Sequence, residues 1–250
     1  MVLYAIYYTQ NACKSQFGVY PTDYICLLIT PKEGFFMKLF DPNGPVSRFL
    51  SRVGDLILLN LICIVCCLPF FTAGASVTAM HYVLLRMRRG EECGIVRDFF
   101  HSFRQNLKQG ILLHLILTVV TAVLALDLYI LWTLWEYEIF YKIIFIGTAV
   151  LALWYLGISV FIYPLLAQFN NTIWGFLKDA RFISLKYKSH AIAIILVTFA
   201  PWITGLYVPY LLEWLIFFYL LIGVALIPYL LCPYYITIFD KYITPPENQE

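Results

Sequence analysis

Asn60 and His81 are the side chains of this 250-residue chain whose type and setting could do chemistry, because each interrupts a run of apolar residues. Polar groups at membrane depth are costly and are functional candidates by default. Two roles are open to this pair, a polar contact between neighbouring helices or a substrate site, and a neutral His81 needs no charged partner. Asp127 lies about 16 residues beyond Ile111, so a 1.5 Å rise puts it roughly 24 Å along its helix. That depth is near an interface, where a solvated carboxylate is expected rather than a proton relay. His114 sits about one turn inside the opposite interface and is read the same way. Cys63, Cys66 and Cys67 spell C-x-x-C-C, but a metal site would need a second ligand pair and a polar shell. They read as small buried residues, and an odd total of seven cysteines without paired spacing predicts no disulfide framework. No phosphate-binding loop, H-E-x-x-H, G-x-S-x-G or dinucleotide fingerprint is present. The expectation is a protein without catalytic residues, metal or cofactor.

A second group lies in RMRRGEECGIVRDFFHSFRQNLKQG, Arg86 to Gly110, which carries six of the 17 Lys and Arg residues. If the segment from Arg97 to Ile111 is helical, Phe99, Phe100, Phe103, Leu107 and Ile111 fall within an arc of about 120°, with Arg97, Arg104 and Lys108 beside it. This predicts an amphipathic interfacial helix. Its aromatic residues would sit at the headgroup level and its cations would meet anionic lipid, or the same face would dock a cytoplasmic or membrane partner.

The elements that hold these groups follow from composition. At 62% hydrophobic and 13% charged residues, the chain is far more apolar than a soluble domain, for which about a quarter is charged. Nothing in its tails suggests a nucleic-acid partner. Apolar runs predict spans at Leu56–Phe71, Thr72–Met87, Ile111–Trp135, Ile143–Leu166, Ala191–Tyr207 and Leu215–Tyr235. Thr72–Met87 is short, and its hydropathy alone would not secure it. Charge does, because Lys38, Arg48 and Arg52 precede the first run while Arg86, Arg88 and Arg89 follow the second, so both flanks belong in the cytoplasm. Six helices in three hairpins place 14 cations inside and Lys142 alone outside, with two more in the first 36 residues. A five-helix arrangement would put one of the basic loops outside. The fold expected is an all-α polytopic membrane domain over residues 37–241 with cytoplasmic amphipathic segments, both termini inside, and a polar tail at 242–250. Residues 1–36 are irregular and Tyr-rich, and the change of texture at Met37 points to that residue as the biological start. Arg97 and Asp98 are echoed by Lys178 and Asp179 before the next rising helix, a weak sign of internal repetition.

The motifs D-L-I-L-L-N-L at Asp55–Leu61, L-P-x-x-T-x-G-A at Leu68–Ala75 and F-F-x-S-F-x-x-N at Phe99–Asn106 resemble the YesL-like family of bacterial integral membrane proteins of unknown function. The resemblance runs from about Leu39 to the last helix and is strongest in the first half. It implies a cell-membrane protein of Gram-positive-type bacteria, encoded beside sugar importers of the ATP-binding-cassette class and glycan-degrading enzymes. Importer subunits and the bilayer are the partners it points to. It carries no known catalytic or binding residues, although Asn106 belongs to its most specific polar motif. Two functions are therefore expected, an accessory or assembly component of carbohydrate uptake, or a small permease acting alone through a pathway near Asn60 and His81.

Overall fold

The computed structural model describes residues 45–92, 94–136 and 138–243. The expectations for residues 1–36, for Met37 and for the tail beyond residue 243 lie outside them. Among the described residues every regular element is helical: α1 (Pro45–Cys67), a 3₁₀ turn (Phe70–Thr72), α2 (Ala73–Arg89), α3 (Ile95–Thr133), α4 (Ile139–Gln168), α5 (Ile173–Lys186), α6 (Lys188–Tyr207), α7 (Pro209–Phe218), a π turn (Tyr219–Gly223) and α8 (Val224–Ile243). The chain divides between Val53 and Gly54, within α1, into two compact units. The second unit, from Gly54 onward, contains α2 to α8 and most of α1.

Local chemistry sets the boundaries. Pro69, which has no N–H to continue a helix, follows the end of α1. Thr72 closes the turn by donating its hydroxyl to the Cys66 and Pro69 carbonyls at 2.7 and 2.8 Å. Gly90 ends α2 at φ +78°, the left-handed conformation that favours glycine, and returns its N–H to the Arg86 and Met87 carbonyls. Arg86, Arg88 and Arg89 sit in that last turn, where cations complement the helix dipole.

Among the described residues five helices are long and apolar enough to cross a membrane: Val46–Cys67, Ile95–Thr133, Ile139–Gln168, Lys188–Gly205 and Tyr210–Lys241. The chain thus has the build of a multi-pass helical membrane protein. The expected span at Thr72–Met87 corresponds to α2, which is not among the five. It is nevertheless the most enclosed helix, with 11 of its 17 residues buried, including Ser76, Thr78 and His81. A helix surrounded by protein needs no lipid-soluble surface, which explains its modest hydropathy.

A difference from expectation appears in α3. Arg97–Gln109, expected to lie in the interface as a separate amphipathic helix, is continuous with the span that follows. The 39 residues of α3 are about 58 Å long, nearly twice the hydrocarbon thickness of about 30 Å. Gly110 does not break it, because that glycine serves packing. A Cβ on Gly110 would lie 2.8 Å from Ala75 Cα and 2.9 Å from its nitrogen. A Cβ on Gly74 would collide with the Gly110 carbonyl oxygen and come within 2.6 Å of His114 Cβ. The helices α2 and α3 therefore meet backbone to backbone, as small residues permit, and form the most extensive helix pair of the unit. A second close approach joins α4 to α5, where a Cβ on Gly157 would lie 2.7 Å from Ser184 Oγ.

The core is displaced toward one end. Fully buried large side chains include Leu84 and Leu85 of α2, Phe99 and Leu113 of α3, Phe161 and Leu165 of α4, Phe176 of α5 and Phe239 of α8. These lie toward the chain termini of their helices that bear Arg86, Asp98 and Asp240. Past Leu117, α3 exposes Val119, Val123, Leu126 and Tyr129, and the first half of α4 exposes Ile139, Ile146 and Val150.

Gly110→Ala should lower stability by about 1–3 kcal/mol through overpacking against α2, measured as a fall in the unfolding midpoint of detergent-purified protein. Gly147→Ala, whose Cβ meets nothing within 4 Å, should leave the midpoint unchanged or slightly raised.

Candidate functional site

At the basic end, α3 begins with a buried carboxylate. Asp98 is only 5% exposed, and its Oδ2 accepts from Arg86 Nη1 at 2.9 Å while Oδ1 accepts from Arg97 Nε at 3.4 Å. Arg86 Nε also reaches Glu91 at 2.7 Å, so one guanidinium ties the end of α2 to the start of α3. Arg89 pairs with Asp240 at 3.3 Å, and Gln109 Nε2 donates to the Asn171 carbonyl at 3.3 Å. These bonds gather the 86–98 connection, the connection after α4 and the far end of α8 at the same end of the unit.

The aromatic arc expected on this segment divides between two environments. Phe99 is wholly buried in protein, Phe103 is half-buried against the core, and Phe100 is 38% exposed. Phe99 therefore does not face lipid. The buried face of α3 runs instead through Asp98, Ser102, Asn106 and Gly110, at four-residue spacing, onto Leu113 and Leu117. Asn106 Nδ2 donates to the Ser102 carbonyl at 3.1 Å, so it is part of this face. The small and polar stripe was visible in the sequence, but weighing hydrophobicity alone gave the aromatic residues priority. Arg97, Arg104 and Lys108 are exposed, and Arg97 and Arg104 flank a shallow groove shared with Val96, Phe100 and His101.

Asn60 and His81 are not bonded to each other. Asn60 crosses from α1 to the last helical segment, where its Nδ2 donates to the carbonyls of Tyr219 and Leu220 at 3.3 and 2.8 Å, and its Oδ1 accepts the Ala225 N–H at 3.0 Å. A π turn removes backbone groups at its ends from the regular i−4 ladder. The Asn60 amide supplies one donor group and one acceptor to them, and this pattern fixes which amide atom is oxygen. His81, 6% exposed, sets its ring edge-on to Tyr235 with centroids 5.8 Å apart. Its Nδ1 has no hydrogen-bond partner.

His81 also lines an open-sided cavity of about 630 Å³ bordered by α2, α3, α4, α6, the π turn and α8. His114, Thr118 and Thr121 of α3 face Tyr155, Ser159 and Tyr163 of α4 there, with Tyr219 and Tyr235 opposite. Most of the hydroxyls are already engaged. Tyr155 donates to the Leu117 carbonyl at 2.6 Å, Thr118 to the His114 carbonyl at 2.8 Å, and Tyr163 Oη lies 2.9 Å from His114 Nδ1. His114 Nε2 has no partner. None of the lining residues is Asp, Glu, Lys or Arg, so the chamber is electrically neutral. Its size falls within the usual range of small-molecule sites. Sequence reasoning pointed to His81 and missed the chamber, because the tyrosines and threonines that complete it resemble ordinary membrane-helix residues. Among the described residues no group of three or more His, Cys, Asp or Glu side chains could hold a metal ion, and Cys63, Cys66, Cys67 and Cys232 are free thiols. Asp127 is exposed and accepts the Thr148 hydroxyl at 3.1 Å.

Helix composition and this neutral, open-sided chamber define a multi-pass helical membrane protein with a small-molecule-sized cavity. Residues 56–128, which take in the apolar part of α1, all of α2 and most of α3, match the family described as protein of unknown function, DUF624. No curated protein and no solved structure matches the chain. The matched segment contains Asn60, His81, Arg97–Lys108 and His114.

Asn60→Leu, similar in size but without the amide, strips bonds from one buried and two part-buried backbone groups. It should destabilise the protein by at least about 2 kcal/mol, seen as a lower unfolding midpoint with loss of the tryptophan signal of native protein. An unchanged midpoint would mean that the π turn holds without the clasp.

Proposed function

We propose that this chain is a carrier for a small uncharged molecule in the cell membrane, with six spans in three hairpins and both termini in the cytoplasm. The chamber carries the reading. A cavity of about 630 Å³ without charged lining suits an uncharged solute, and it lacks the midplane acids that ion-coupled transport usually requires. The orientation rests on charge. Arg86, Arg88, Arg89, Arg97, Arg104 and Lys108 precede the span of α3, while Lys178, Arg181, Lys186 and Lys188 precede that of α6, and such excess belongs on the cytoplasmic side. On this reading α2 is the sixth span, shielded from lipid by its neighbours. The bilayer is the required partner, and no catalytic step, cofactor or nucleic acid takes part.

A second reading is favoured by the basic end. Arg97, Arg104 and Lys108 are exposed there, and Trp174 and Phe182 of α5 are 81% and 52% exposed. Such a surface suits a docking role, and with the YesL-like resemblance it supports an accessory or assembly component of ATP-binding-cassette carbohydrate uptake.

Purified protein in liposomes should pass an uncharged substrate at a rate at least tenfold above protein-free vesicles. Absence of flux together with co-purification of importer subunits in mild detergent would replace the first reading by the second. In that event, changing Arg97, Arg104 and Lys108 together to Glu should reduce the recovered importer subunits at least tenfold without altering the unfolding midpoint.

A further inference from the structure

We infer that the chamber takes an uncharged, lipid-soluble molecule bearing one or two hydroxyl or carbonyl oxygens, admitted from the bilayer rather than from water. The inference rests on the chamber being a ligand site, as in the carrier reading above, and names the class of molecule that fits it.

Hydrogen-bond capacity limits the ligand first. Tyr155 and Thr118 spend their donor protons on protein carbonyls, Tyr163 is engaged with His114, and Tyr235 Oη donates to the Val160 carbonyl at 3.5 Å. Thr121 Oγ1 donates to the Leu117 carbonyl at 2.8 Å and lies 3.0 Å from Tyr155 Oη. The buried lining atoms left without a partner are His81 Nδ1, His114 Nε2 and Tyr219 Oη. A sugar would bring many hydroxyls into this space, and each one left unbonded costs about 1–3 kcal/mol. A molecule with one or two oxygens matches the supply.

The proton arrangement sharpens this. Tyr163 Oη lies 2.9 Å from His114 Nδ1. If the phenol donates there, the imidazole proton resides on Nε2 and is offered to an acceptor oxygen. Both free nitrogens are covered by the chamber wall. Turning the His81 ring about its soft Cβ–Cγ torsion would present its nitrogen to the ligand, while the same turn at His114 exchanges the Tyr163 contact for one to the ligand.

The walls and the opening limit the ligand next. Phe70, Leu117, Phe199, Ile227 and Leu231 make the lining largely apolar, and no charged side chain would compensate a ligand charge. The lining is exposed at Phe70, Thr121, Ala122 and Ala125. Neighbouring Val119, Val123 and Leu126 are 61%, 62% and 60% exposed, so the opening lies within an apolar belt that meets acyl chains. A molecule already dissolved in the bilayer has the direct route.

The test uses the full chain in phospholipid nanodiscs with a diazirine-bearing farnesol as probe. Saturable crosslinking to peptides from Leu117–Ala125 and Tyr219–Leu231 is expected, displaced by excess farnesol, by a decyl-benzoquinone or by both, and not by maltose. Displacement by one competitor alone would still support the class and would identify the head group as hydroxyl or carbonyl. His114→Phe should weaken competitor binding about tenfold, the worth of one hydrogen bond. Ala122→Trp, which adds bulk at the exposed mouth, should weaken it at least tenfold with an unchanged unfolding midpoint. Non-saturable labelling, displacement by maltose, or labelling indifferent to Ala122→Trp would overturn the inference. Equilibrium binding needs no transport, so intact binding without flux in liposomes would defeat only the carrier reading, and flux of a polyol without probe binding would defeat only the ligand class.

Discussion

The backbone contact between α2 and α3 is the constraint on which the rest of this structure depends. Gly74 and Gly110 have no side chain and Ala75 only a methyl at the crossing, which lets two helices of ordinary diameter approach until main-chain atoms touch. In a bilayer, association cannot draw on removing apolar surface from water, so close packing and polar bonds must supply it. The crossing holds α2 in the interior. From there its C-terminal turn reaches Asp98 through Arg86 and Asp240 through Arg89, and its middle contributes His81 to the chamber wall.

Burial is graded along the helices. The basic end is filled by phenylalanine and leucine side chains, while farther along, the chamber lies between His114–Ala125 of α3 and Tyr155–Tyr163 of α4, and the helices beyond it expose apolar side chains. Tyr155 ties the two helices beside the chamber by donating to the Leu117 carbonyl, and Tyr163 meets His114 lower down. A closed end joined to a loosely packed one is a geometry in which a guest can be held without disturbing the core.

The helical membrane class was legible in the chain because long apolar runs leave few alternatives, and the charged connections marked where helices begin and end. The role of α2 was harder to read. Hydropathy reports how a residue meets lipid, whereas Ser76, Thr78 and His81 meet protein, so a central helix looked marginal. Phe99 misled in the opposite direction, since its place on an aromatic arc said nothing of which neighbour would cover that arc. The informative stripe was Asp98, Ser102, Asn106 and Gly110, whose shared property is small size or hydrogen-bonding capacity. Asn60 was recognised as a polar contact candidate, but its partners are backbone atoms about 160 positions away, exposed by a π turn that no side-chain pattern announces.

That π turn has a consequence for helical phase. Five residues, Tyr219–Gly223, complete the turn, and one surplus residue rotates everything after it by about 100° relative to an uninterrupted α-helix. Ala225, Leu231, Cys232, Tyr235 and Phe239 are buried in the phase that this rotation establishes. Without the surplus residue, the same sequence would bring a different face of α8 against the core. The extra residue therefore works as an indexing step, and Asn60, by binding both sides of it, links the rotational setting of the last helix to the first.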